Sequence, residues 1–98
     1  MNRNEVRDCV IQSLQEIMAD REVPPIDDST DPMRGLGLDS EDGVDLACTL
    51  SDKLNYDIPH KINPLVDDEM NRPRHVGEIV DLVYKLLETH KEGNHGGH

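Results

Sequence analysis

Residues 33–59 read MRGLGLDSEDGVDLACTLSDKLNYDIP, and the fold is decided by where the helix inside this stretch begins and ends. Asp39 suits the N-cap and Asp42 the third helical position, a relative of the capping box, while Glu41 adds negative charge near the positive helix end. A helix from Asp39 or Ser40 to about Leu54 places Val44, Ala47, Leu50 and Leu54 on one stripe, with Leu46 and Cys48 nearby. Glu41, Asp45 and Asp52 then turn towards solvent, and Asn55 and Pro59 break the pattern. Ser40, a lone hydroxyl between Asp39 and Glu41, has two readings. It caps the helix in company with Asp39, or it presents its hydroxyl outward for attachment of another group. A phosphate ester there would sit near unpaired backbone N–H groups. The flanking acids would repel it, so they need another task, such as docking a basic enzyme.

Upstream, Asn4 is a candidate cap for a first helix whose apolar positions are Val6, Val10, Leu14 and Ile17, with Met18 alongside. Pro24 and Pro25 stop it soon after Asp20. From Glu22 to Leu38 the prolines, glycines and acids read as a long loop, pinned to the core by Ile26, Met33, Leu36 and Leu38. Downstream, Pro64 at a first turn predicts a short third helix over Pro64 to Met70. Arg72 and Arg74 make a basic break, and a last helix opens near His75 on the repeat Val76, Ile79, Val80, Val83, Leu86 and Leu87. The expected fold is all-α: a small four-helix bundle of three longer helices and one short one, with a long first loop. Residues 1–90 form the domain, and 91–98 a flexible Gly/His tail.

Ninety-eight residues suit one core, which must be aliphatic because the chain has two tyrosines and neither Phe nor Trp. With 21 acidic against 10 basic residues the net charge is −11. That field disfavours nucleic acid and anionic membranes and attracts basic protein surfaces. Cys9 and Cys48 are too few for a disulfide framework, and both lie in apolar helical patterns that predict buried, reduced thiols. Without a membrane-length apolar run or a signal-peptide pattern at the N-terminus, the expected location is the cytoplasm.

Several chemistries fail on spacing. The run from Gly35 supplies only the first two glycines of a dinucleotide loop, with Ser40 in the third place and no preceding strand. Taking Gly43 as a calcium-loop glycine puts Leu38 and Ser40 on ligand positions and Thr49 where a bidentate Glu belongs. No histidine sits in an elbow motif that would activate a serine. His90, His95 and His98 lie in a glycine-rich tail without cysteine partners for zinc, and the expectation is no metal site and no enzyme activity.

The run from Met33 to Ser40 resembles the attachment motif of acyl carrier proteins, a GxDS sequence whose serine carries 4′-phosphopantetheine. VDLACTLSDKLNYDIP (44–59) resembles that family's second helix and its exit, and HVGEIVDLVYKLL (75–87) its last helix; the likeness spans roughly residues 4–88. The resemblance implies that Ser40 is the attachment point of an arm taken from coenzyme A. It implies that Asp39, Glu41, Asp45 and Asp52 contribute to the docking face, and that Val44, Leu46 and Leu50 lie near the acyl-sequestering interior. Glu41 stands where these proteins usually carry Leu or Ile, Leu54 replaces a common Phe, and the segment between Pro59 and Val76 is longer than in ordinary fatty-acid carriers. A specialised carrier is therefore implied.

The function so implied is a monomeric carrier that holds acyl groups as thioesters. Its partners are a phosphopantetheinyl transferase and acyl-transferring or ketosynthase-type enzymes with basic patches, in fatty-acid, lipid or polyketide synthesis. The alternatives are a peptidyl or aminoacyl carrier with the same arm, and an acidic interaction module that is never modified.

Overall fold

The computed structural model describes residues 2–19, 21–59 and 61–96, with side chains through Thr89. Helix α1 spans Arg3–Ile17 and opens on a complete capping box, the Asn2 side chain accepting from the Glu5 N–H while Glu5 accepts from the Asn2 N–H. Asn2 rather than Asn4 is therefore the cap, and Asn4 is an exposed helical residue. The helix stops at Ile17, where the Met18 N–H turns back to the Leu14 and Glu16 carbonyls. Its Val6, Val10 and Leu14 are wholly buried, each burial stabilising the fold by about 2 kcal/mol. α1 packs on both long helices that follow.

Those helices are α3 (Ser40–Leu54) and α4 (Val76–Gly96). α3 contributes Leu46 and Leu50 to the core, and α4 contributes Val76, Ile79, Val80 and Val83, the repeat that the sequence predicts. α4 runs into the 91–98 segment; the side chains from His90 on and residues 97–98 lie outside the described residues, and with them the expectation of a flexible tail. Surface ion pairs join the same elements, Arg3 to Asp81 at 2.9 Å and Lys53 to Glu16 at 2.8 Å. Such exposed pairs add only about 0–1 kcal/mol each. Among the described residues no helix is long and apolar enough to cross a membrane.

The long loop is ordered because it caps a helix. The first N–H groups of α4 lack partners in their own helix, and the loop supplies them: the Val76 N–H donates to the Thr30 carbonyl at 2.8 Å and the Gly77 N–H to the Asp28 carbonyl at 2.9 Å. A Cβ at Gly77 would lie 3.2 Å from that Asp28 oxygen, so glycine permits the approach. The loop's own fold is local. Asp27 accepts from the amide and hydroxyl of Ser29, which hold its carboxyl below the usual range, and Arg7 of α1 pairs with Asp28 at 2.8 Å. Asp31 then caps a one-turn helix absent from the sequence expectation, α2 (Pro32–Gly35), accepting from the Met33 and Arg34 N–H groups. α2 delivers Leu36 and Leu38 to the core.

The expected short helix over Pro64–Met70 is absent. Asn63 and Pro64 form a turn closed by the Val66 N–H on the Asn63 carbonyl, and the chain enters a two-stranded antiparallel hairpin. Its strands are β1 (Val66–Asp67) and β2 (Arg72–Pro73), with Val66 opposite Pro73 and Asp67 opposite Arg72. Asp67 Oδ1 accepts from the Glu69 and Met70 N–H groups at the tip, and Asn71 takes a positive φ of 50° to close it. Two arginines hold the hairpin in place. Arg74 Nη1 donates to the Asn63 and Val66 carbonyls at 2.9 and 2.8 Å, and Arg72 makes a two-pronged pair with Glu78 in the first turn of α4.

Glu78 also accepts from the His75 N–H and ring Nδ1. The Arg72 guanidinium, aided by those bonds, lowers its carboxyl from 4.5 to about 2. Because the folded value is depressed, this group's stabilisation is fully present above pH 4.5 and disappears as pH falls towards 2. With 33% of the side chain still exposed, water screens the pair to about 1 kcal/mol. Glu78→Gln is therefore expected to lower the melting temperature at pH 7 by roughly 4–8 °C. Thermal melts across acidic pH should show that gap closing between pH 4.5 and 2.

Candidate functional site

The residue before Ser40 does the capping. Asp39 has extended backbone, its Oδ1 accepts from the Asp42 N–H at 3.0 Å, and Asp42 Oδ2 accepts from the Asp39 N–H at 3.0 Å. This reciprocal box resolves the two readings of the Asp-Ser pair: Ser40 is the first helical residue, exposed, and not the cap. Its approach is anchored on both sides of a single glycine. Leu36 and Leu38 are buried around Gly37, whose φ of +74° favours glycine, and the Leu38 N–H donates to the Pro32 carbonyl.

The other side of the serine's turn is held from a distance. Asn63 Nδ2 donates to the Ser40 carbonyl at 3.0 Å, while Asn63 Oδ1 accepts from the Leu65 N–H at 2.9 Å. The amide reaches this position because Gly43 is buried beneath it: a Cβ there would lie 2.0 Å from Asn63 Oδ1. Neither residue was among the sequence candidates. The available signals were an isolated glycine inside a helical pattern, which usually has a packing reason, and the Asn-Pro turn at Asn63.

One turn beyond Ser40 a groove of about 570 Å³ opens between α3 and the segment leading to the hairpin. Val44, Ala47, Ile58, Pro59 and Ile62 make its apolar surface, with Cys48, Ser51 and Asn63 among its polar lining and Asp52, Asp57 and Lys61 as its charges. Ser51 fixes one wall, its hydroxyl donating to the Ala47 carbonyl and accepting from the Ile58 N–H. Val44 is therefore not an interior residue: it is 59% exposed and borders this groove, whereas Leu46 and Leu50 are wholly buried. The inward stripe of α3 is Gly43, Leu46 and Leu50, one residue out of phase with the expected stripe at Val44.

The four candidate docking acids are all exposed: Asp39 at the cap, then Glu41, Asp45 and Asp52 along α3. Cys48 is exposed too, correcting the buried thiol expected there. Cys9 is half-buried and free, and burial raises its thiol pKa. Among the described residues, the structure brings Ser40 together with acids and a groove. His75, the one histidine whose side chain is described, is engaged by Glu78. Among the described residues no group of three or more His, Cys, Asp or Glu side chains could hold a metal ion; His60 and the side chains of the tail histidines lie outside them.

Asp39→Ala removes the acceptor for the Asp42 N–H, while the Asp42 carboxylate keeps the backbone N–H of residue 39. Denaturant unfolding should show a loss of about 1 kcal/mol, the usual worth of an N-cap, with the far-UV helical signal of the folded state retained. Comparison of the chain with protein-family models, curated proteins and solved structures finds no match.

Proposed function

We propose that this protein is a carrier whose Ser40 holds a 4′-phosphopantetheine arm, on which acyl groups travel as thioesters between biosynthetic enzymes. The observation that carries this reading is the state of Ser40: an exposed hydroxyl on the first turn of α3, with capping assigned to Asp39 and a groove opening one turn away. An arm attached there fits the chain. The unpaired N–H groups and positive end of α3 lie beside the ester, and Val44, Ala47 and Ile62 offer apolar contacts along the groove. The arm itself supplies the thiol that bears the cargo.

Attachment would be carried out by a transferase acting on coenzyme A with Mg²⁺. Ser40 Oγ forms the new bond to phosphorus, the pyrophosphate P–O bond breaks, adenosine 3′,5′-bisphosphate leaves, and the serine proton passes to a base of the transferase. The chain then needs no base of its own and acts as a substrate and shuttle, not as an enzyme. Glu41, Asp45 and Asp52 present a negative face that suits basic partners met in turn. Charge raises their encounter rate while leaving dissociation fast. The compact helical build around an aliphatic core is consistent with a bundle of the carrier type and a monomeric protein, for which a cytoplasmic location is part of the proposal. The hairpin over Val66–Pro73 supports reading the chain as a specialised carrier, with partners other than those of general fatty-acid synthesis.

Incubation with a promiscuous phosphopantetheinyl transferase, Mg²⁺ and coenzyme A should add the arm's mass to the intact protein and add nothing to Ser40→Ala. An unmodified wild type, or an increment that survives the substitution, refutes the attachment. A second expectation concerns partner choice. Replacing the exposed Glu41 with leucine removes one charge and adds an apolar contact, so Glu41→Leu should dock several-fold more tightly to a general fatty-acid ketosynthase or transacylase, a change of about 1 kcal/mol. Binding measured at two salt concentrations checks it, and unchanged affinity refutes this account of Glu41.

A further inference from the structure

We infer that Asn63 is a positioning residue for modification of Ser40, acting from outside α3 and relying on Gly43 for its place; the inference rests on Ser40 being the attachment point. Both peptide groups that flank the serine side chain are secured. On one side Asp39 is locked in the capping box. On the other, the Ser40 carbonyl accepts the Asn63 amide at 3.0 Å, which leaves side-chain rotation as the main freedom of the hydroxyl.

Asn63 is itself restrained. Its Oδ1 is occupied by the Leu65 N–H, and its own carbonyl accepts from Arg74 Nη1 and from the Val66 N–H. Arg74 is fixed in turn by its N–H on the Leu65 carbonyl and by Nη1 on the Val66 carbonyl. The side chain that reaches Ser40 is therefore mounted on the base of the hairpin. The buried Gly43 is the complementary feature on α3, since any Cβ there would overlap the Asn63 amide. Glycine inside a helix costs about 1 kcal/mol relative to alanine, and the contact with Asn63 gives that glycine a use.

Displacement at phosphorus requires the attacking oxygen in line with the departing group, and small misplacements of a reacting atom lower rates steeply. Losing the Asn63 tether should act on turnover rather than on docking, because Glu41, Asp45 and Asp52 remain as they were.

The test is steady-state arm transfer to the full-length chain by one transferase, followed by intact mass, for wild type, Asn63→Ala, Asn63→Asp, Gly43→Ala and the Gly43→Ala/Asn63→Ala pair. Asn63→Asp keeps an acceptor for Leu65 but turns a carboxylate on the Ser40 carbonyl. Each single variant should lower kcat roughly tenfold, equivalent to about 1.4 kcal/mol, with KM for the carrier within about twofold. Gly43→Ala should cost nothing further once Asn63 is alanine, because its effect passes through the displaced amide. Melting curves identify any variant that fails to fold, and the remaining variants then decide the matter. Unchanged kcat in the folded variants, losses confined to KM, or additive losses in the pair overturn the role of Asn63 and leave Ser40 as the attachment point. A wild-type chain that gains no mass overturns both.

Discussion

Each helix of this protein begins with N–H groups that its own turns cannot satisfy, and most of the structure follows from where their acceptors come from. α1 is served by Asn2, α2 by Asp31 and α3 by Asp39, all side chains adjacent to the helix they open. α4 draws on carbonyls from a remote segment, Asp28 and Thr30. That choice folds the long loop. Once residues 28–30 are seated on α4, Asp31 is in place to start α2, α2 delivers Leu36 and Leu38 to the core, and the chain arrives at Asp39 with its direction set. The exposed serine is thus positioned through a series of caps that begins at the far end of the fold.

The same requirement accounts for part of the acidity. Asp31, Asp39, Asp42 and Glu78 each accept backbone N–H groups at helix starts, where negative charge is favoured by about 0.3–1 kcal/mol. Asp27, Asp28 and Asp81 are occupied with loop bonds or arginines. Glu41, Asp45 and Asp52 pair with no described residue and stand along the exposed face of α3. A net charge of −11 destabilises a compact chain by self-repulsion, and acids without a structural partner on one face carry that cost without structural return.

What the sequence made legible was local. The capping pair Asp39 and Asp42 lies within one turn, so the start of α3 could be read directly, as could the Val76–Val83 repeat of α4 and the anchoring of the loop by Leu36 and Leu38. What it concealed was non-local. Pro64 suits the first turn of a helix, yet the segment forms a turn and hairpin because Arg74 collects its carbonyls and Arg72 reaches Glu78. Arg74 lies 8 to 11 residues from the carbonyls it meets and Glu78 lies beyond the segment, so neither contact follows from helical or strand spacing. The phase of the stripe on α3 was ambiguous as well. Val44, Ala47 and Leu54 share acceptable helical spacings with Leu46 and Leu50, yet only Leu46 and Leu50 are wholly buried; Ala47 and Leu54 pack at the edge of the core, Gly43 lies against Asn63, and Val44 faces outward.

The hairpin and the serine are consequently one mechanical unit. A helix over 64–70 would use its carbonyls in its own i to i+4 bonds, whereas in the turn the Val66 carbonyl and the Asn63 carbonyl, which also accepts the Val66 N–H, both accept from Arg74 Nη1. Arg74 braces the hairpin base through these carbonyls, and the braced base carries the Asn63 amide to Ser40. The groove shares this frame. Ile62 and Asn63 form part of its wall opposite Val44 and Ala47, so a displacement at the hairpin base would alter the groove and the serine's turn together. The serine's turn and the groove therefore share one support, while the hairpin tip at Asp68, Glu69 and Met70 stands exposed beyond it.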